Sequence, residues 1–167
     1  MKGPQMASFA KKFTRVYNAM MQPLCEELNM PETAVDILMY FANNPELNTA
    51  RDACRFKFLK SGIVSFHIDR MVNEGLLERR SEPGDRRVCR LVCTEKAQPI
   101  VEKGRALQMQ FGRAITAGLD EATLETMKYA LQTINDNLEQ LLREHAAAAP
   151  GPRPADATRT ETEEELC

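Results

Sequence analysis

Residues 59–94 constrain the fold more than any other stretch of the chain. An amphipathic segment, SGIVSFHIDRMVNEG, runs directly into LLERRSEPGDRRVCRLVCT. Val64, His67, Ile68, Met71 and Val72 recur at helical spacing and mark one apolar stripe, with His67 expected in the core. The other side carries Ser61, Gly62, Ser65, Phe66, Asp69 and Arg70. Gly75 lies just past the last periodic residue, where a left-handed cap is expected. Two strand-like runs follow, Leu76 to Ser81 and Arg87 to Cys93, separated by Glu82, Pro83, Gly84 and Asp85, which are turn residues. Arg87, Cys89, Leu91 and Cys93 share one face, because strand side chains alternate. A helix leading straight into a two-stranded ribbon with arginines near its tip is the plan of a winged helix.

The flanking sequence supplies helices for that plan. Residues 6–28 predict a first helix with a stripe of Phe9, Phe13, Val16, Tyr17, Met20, Leu24 and Leu28. Pro23 is expected to kink it or to start a new turn. Pro31 suits the first turn of a second helix reaching Asn43, with Val35, Leu38, Met39 and Ala42 inward. Asn48 or Thr49 caps a short third helix, TARDACRF. Short helix, tight turn and second helix make a helix-turn-helix, in which the second helix enters the major groove of a duplex. Thr94 can cap a fifth helix with an irregular first turn around Pro99, and Gly118 ends it. Ile100, Val101, Gly104, Leu107, Phe111 and Ile115 are its apolar positions. Asp120 caps a sixth. There Leu124, Met127, Leu131, Ile134, Leu138 and Leu141 form a seam at alternating three- and four-residue spacing, which calls for a partner helix. That partner is either a second chain or this chain's own first or fifth helix. Residues 146–167 have no apolar periodicity and read as a disordered acidic tail. The expected organisation is one domain over 1–145, with a winged core at about 30–94 and dimerisation helices at about 6–28 and 95–145.

Charge points to a polyanion. From Arg51 to Arg90 there are ten Lys/Arg and six Asp/Glu, in a chain of net charge −2. The negative sign belongs to the tail: without residues 156–167 there remain 21 basic and 19 acidic residues, a net of +2. A local positive patch on a mildly acidic protein is the footprint of a nucleic-acid contact. No apolar run is long enough to span a bilayer, and the N-terminus lacks a signal-peptide core, so a cytoplasmic protein without a membrane partner is expected. Five cysteines, 25, 54, 89, 93 and 167, argue against a disulfide framework. Cys89 and Cys93 are about 13 Å apart along a strand, too far to share a metal ion. With two histidines and no nucleophile elbow, phosphate loop or ligand cluster, no enzyme, metal or cofactor is expected.

The run DRMVNEGLLERRSEPGDRRVCRLVCTEKA resembles the wing of the multiple-antibiotic-resistance regulator (MarR) family. The matching features are Asp69-Arg70 at the helix end, Gly-Leu-Leu-Glu-Arg at 75–79, Asp-Arg-Arg at 85–87 and the strand end at Thr94. A looser likeness covers about 8–145. The resemblance implies a mainly α fold with a small two-stranded β wing: a winged helix-turn-helix with long N- and C-terminal dimerisation helices. It implies a homodimeric, sequence-specific transcription regulator on a pseudo-palindromic operator in double-stranded DNA. It also implies control by a small aromatic or phenolic ligand. Arg87 is then the minor-groove arginine and Asp85 its orienting carboxylate. A narrow minor groove concentrates negative potential, so an arginine there is physically sound. Arg86 then meets phosphate. Phe9, Phe13 and the seam from Leu124 to Leu141 fall on the family's dimer helices. Tyr17, Met20, Met39 and Phe41 are candidates for the ligand cleft and equally for the core.

On the helix of the opening stretch, Ser61, Gly62, Ser65 and Phe66 take the positions of base-edge contacts. Lys60 and Arg70 suit phosphate. Phe66 departs from the polar or basic residue of many relatives. Either it offers an apolar contact, such as to a thymine methyl, or the helix is rotated and Phe66 is core. Two other readings remain. One is a thiol redox sensor, although the region of the family's sensing cysteine holds Ser8 and Phe9 here and Cys25 falls at the helix end. The other is a winged helix serving only protein assembly.

Overall fold

The computed structural model describes residues 3–57, 59–82 and 85–148, with side chains over 4–56, 59–82 and 88–145. Two compact units are present, Met1–Ile115 and Thr116–Cys167. The first contains α1 (Gly3–Leu28), α2 (Glu32–Asn43), α3 (Ala50–Lys57), α4 (Ser61–Asn73), β1 (Leu77–Glu82), β2 (Asp85–Cys93), a 3₁₀ turn (Glu95–Ala97) and α5 (Gln98–Ile115). The second contains α6 (Glu121–Ala148). The expected class is confirmed: a mostly helical winged helix-turn-helix with one two-stranded antiparallel sheet.

The core of the first unit gathers around α2, which buries Ala34, Val35, Ile37, Leu38, Met39, Tyr40 and Phe41. Met21 and Leu24 of α1, Val64, Ile68 and Met71 of α4, Leu77 and Leu91 of the sheet and Val101 of α5 close over it. Each such fully buried side chain contributes about 1.5–3 kcal/mol of transfer free energy. Gly104 of α5 faces Met39 so closely that a Cβ there would overlap the methionine side chain.

Helix ends follow local chemistry, with corrections. Thr49, not Asn48, caps α3: its hydroxyl accepts from the Asp52 amide at 3.2 Å, and the Asp52 carboxylate accepts from the Thr49 amide at 3.1 Å. Gly75 has φ +71 and ends α4 with bonds from the Gly75 amide to Val72 O and from the Leu76 amide to Met71 O. Thr94 takes the N-cap position of the 3₁₀ turn rather than of α5, and its side chain makes no capping bond. Its hydroxyl donates to Gly75 O at 2.7 Å and ties the wing root to the end of α4. The irregular turn expected before α5 is the 3₁₀ segment, after which Pro99 occupies the second position of α5. Pro23 does not break α1: the helix is continuous through it, with the ring on an exposed face. In the second unit Gly118 has φ +86, and the Asp120 carboxylate accepts from the Thr123 amide at 2.8 Å, capping α6. The seam side chains Leu131, Ile134, Leu138 and Leu141 are all exposed.

Strand register pairs Leu77 with Cys93 and Arg79 with Leu91, with an irregularity between Ser81 and Glu82. Pro83, Gly84, the side chains of Asp85, Arg86 and Arg87, and the tail from 149 lie outside the described residues. No helix among the described residues is long and apolar enough to cross a membrane.

Candidate nucleic-acid interface

Helix α4 begins after Lys60 and turns Val64, His67, Ile68 and Met71 inward. The opposite face is therefore exposed. It carries Ser61, Gly62, Ser65 and Phe66, and a Cβ at Gly62 would meet nothing within 4 Å. Phe66 is 65% exposed, so the rotated-helix alternative fails. Ile63, 43% exposed, flanks it and was not among the expected contacts. The imidazole of His67 lies beneath, its ring 5.3 Å from that of Phe66. Its Nδ1 has no hydrogen-bond partner among the described residues. Burial, then the nearby Arg70 charge, holds the His67 pKa below the usual histidine range.

The cations divide into two sets. Arg79 pairs with Asp69, Arg80 with Glu78, and Arg90 with Glu82. Arg70, expected as a phosphate contact, donates from Nε to Glu74 at 2.8 Å and from Nη2 to Asn29 O at 3.1 Å. It bridges the end of α4 to the turn between α1 and α2, where Asn29 has φ +49, and the structure does not gather it with the other expected contacts. Arg51, Arg55 and Lys60 form the second set: exposed and without a carboxylate partner among the described residues. Arg51 and Arg55, four apart on α3, were counted in the basic patch but not singled out. Helical spacing over TARDACRF, with Thr49 as cap, was the signal that could have found them.

The wing is held firmly at its root. A two-stranded ribbon alone is marginal in water. Here Leu77 and Leu91 are buried, the Leu91 amide donates to Asn48 O at 2.8 Å, and Arg90 Nη1 donates to Asn48 Oδ1 at 3.0 Å. Asn48 is thus a buried anchor for the wing rather than a helix cap.

At three of the cysteines burial disfavours the thiolate. Burial pushes the Cys25 thiol up, and the Glu32 and Asp36 carboxylates push the same way. Burial likewise raises Cys54 and Cys93, Arg105 opposing it at Cys93. Among the described residues no His, Cys, Asp or Glu cluster is arranged to hold a metal ion.

Of the expected dimer residues, Phe9 and Phe13 are exposed on α1, and Phe13 stacks edge-on against Phe111 of α5 at 4.9 Å. Tyr17, also against Phe111, accepts from Gln108 Nε2 at 2.9 Å. Met39 and Phe41 are buried core.

This arrangement defines a winged helix-turn-helix protein, in which α4 leads directly into a two-stranded ribbon. Residues 28–88 match the family model described as MarR family, which bears out the resemblance carried by the wing motif. No curated protein matches the chain. Solved structures share its fold. The transcriptional regulator PA3341 is 20% identical with a TM-score of 0.70, over 81% of this chain and 98% of that one. A MarR transcriptional regulator from Methanosarcina mazei Go1 is 15% identical with a TM-score of 0.69, over 83% and 99%. BpsR of Bordetella bronchiseptica, whose DNA binding is described as regulated by 6-hydroxynicotinic acid, is 18% identical with a TM-score of 0.58, over 78% and 92%.

Proposed function

We propose that the protein is a transcription regulator that binds double-stranded DNA as a homodimer and answers to a small aromatic or phenolic ligand. The observation that carries the reading is the exposed face of α4, with Ser61, Gly62, Ser65 and Phe66, together with the exposed cations Lys60, Arg51 and Arg55, which have no carboxylate partner among the described residues. In this reading α4 enters the major groove, α3 crosses the phosphate backbone and the Arg86-Arg87 tip reaches toward the minor groove. Two copies place their α4 helices in successive major grooves roughly 34 Å apart, on a pseudo-palindrome. The seam Leu124, Met127, Leu131, Ile134, Leu138 and Leu141, with Phe9 and Phe13, joins the copies. Asp85 orients Arg87. The regulated DNA binding of BpsR supports the ligand element.

The test is selection of duplexes from a random pool by the full chain, followed by titration of a selected duplex over several salt concentrations. A two-fold symmetric consensus and a steep fall of affinity with salt are expected. Retention of no preferred sequence, with salt-independent binding, would transfer the reading to protein assembly.

A further inference from the structure

The exposed face of α4 is distinctive in what it lacks. From Ser61 to Asp69 the exposed positions are Ser61, Gly62, Ile63, Ser65, Phe66 and Asp69, with no Arg, Lys, Asn or Gln among them. Those four side chains are the ones that read base edges through paired hydrogen bonds. Arg70, the next cation, has its donors engaged by Glu74 and by Asn29 O. Asp69, which could accept from a cytosine amine, is held by Arg79. The Ser61 and Ser65 hydroxyls both donate and accept, so they do not tell one base from another.

What the face does carry is apolar. Ile63 is 43% exposed and Phe66 65%. Side chains three apart on a helix are neighbours, so the two form one patch. The Phe66 ring rests against the His67 imidazole, with centroids 5.3 Å apart and planes at 70°. Gly62 lies one turn before Phe66, and a Cβ there would meet nothing within 4 Å, so the ring does not close over it. The bare backbone leaves an open notch in front of the phenyl group. A single exposed phenylalanine needs no explanation. Charge on the flanking elements indicates what covers this pair. Lys60 directly precedes α4, and α3, which packs on α4, exposes Arg51 and Arg55 without a carboxylate partner among the described residues. Cations on both sides suit an anionic duplex rather than an apolar protein surface. The apolar group of the major groove is the 5-methyl of thymine. 5-Methylcytosine carries the same group at the same ring position.

We infer that Ile63, Phe66 and Gly62 form a reader of pyrimidine 5-methyl groups, which takes thymine and 5-methylcytosine alike. This rests on the DNA-binding reading above and adds to it the chemical group by which bases are told apart.

Uracil and 5-methylcytosine separate the methyl from the base. A duplex selected by the full chain is remade with uracil for thymine, one symmetric pair of positions at a time. At a contacted pair the wild type should bind about fifteenfold more weakly, at about fourfold for each buried methyl. Replacing the same T·A pairs with C·G should weaken it at least as much, and 5-methylcytosine in place of that cytosine should restore most of the loss. Phe66→Ser combined with Ile63→Ser should bind thymine and uracil duplexes equally, measured at low salt, where phosphate contacts keep both bound. Phe66→Leu should keep part of the difference. Both residues are exposed, so melting temperatures should stay close to wild type. No uracil effect at any position, a uracil effect that persists in the double serine variant, or 5-methylcytosine that restores nothing would each overturn the methyl reader. A steep salt dependence on the selected duplex would then still leave the DNA-binding reading standing. A chain that selects no duplex sinks both.

Discussion

Replacing Arg51 and Arg55 together with alanine tests the interface where the structure adds most to the sequence. Both are exposed, lie one turn apart on α3 and have no carboxylate partner among the described residues. Alanine is at least as good a helix former as arginine, and the Thr49–Asp52 cap is untouched, so the fold should be unaffected. If each side chain meets one phosphate, a dimer loses four contacts. The slope of log K against log salt should then be shallower by about 3.6, at about 0.9 for each phosphate. Between 50 and 200 mM salt, the gap between variant and wild type should narrow roughly a hundredfold. The ratio of operator to random-duplex affinity should barely move, because phosphate contacts position and base contacts specify. Fluorescence anisotropy with labelled duplex at five salt concentrations measures both. A variant with wild-type slope would show that α3 does not lie across the backbone, and the orientation proposed for α4 would fall with it.

Four further outcomes are expected. Arg87→Ala should flatten the salt slope by about 1.8, with the largest loss on operators with A·T-rich flanks, and Asp85→Ala should cost less; unchanged titrations would remove the wing from the interface. Leu131→Asp or Ile134→Asp should yield monomers or insoluble protein, because a charge in an apolar seam has no partner, and sedimentation of an intact dimer would refute the seam. Thr49→Ala should lower stability by about 0.5–2 kcal/mol through loss of the α3 cap, read from urea unfolding. His67 has a folded pKa below its unfolded value, so its contribution is full above the ordinary histidine range and is lost as pH falls through that range toward the folded pKa. Melting temperatures at several pH values should show this acid loss in wild type and a flatter profile in His67→Leu.

Local signals read well where one residue decides them. Gly75 at φ +71 and Asp120 on the Thr123 amide are local chemistry, and both follow from spacing. The α4 stripe does too, because only one side of that helix meets the core. Helix α2 is different: it is packed on several sides, so Tyr40 and Phe41 are buried although a single 3.6-residue stripe omits them. Phe9 and Phe13 keep helical spacing yet are exposed in the single chain, since periodicity marks a face without saying what covers it. Arg70 and Asn48 each have a partner that local spacing does not show. Their partners, Asn29 for the first and Arg90 and Leu91 for the second, are some forty residues distant in sequence and become neighbours only in the fold.

The same long-range pairing shapes what α4 can read. Its exposed face offers the hydroxyls of Ser61 and Ser65 and the apolar surfaces of Ile63 and Phe66. The one carboxylate of that face, Asp69, would repel phosphate, but it is bound by Arg79 of β1. That pair neutralises the face and ties the wing to α4 by a link additional to Asn48–Arg90 and Thr94–Gly75. If α4 enters a major groove as proposed, a helix so poor in bidentate donors would discriminate bases chiefly through thymine methyls and through the shape of the duplex. Shape is read by a rigid body more sharply than by a loose one. On the proposed reading the three ties at the wing root would serve specificity as much as stability, by fixing the wing root relative to the exposed face of α4.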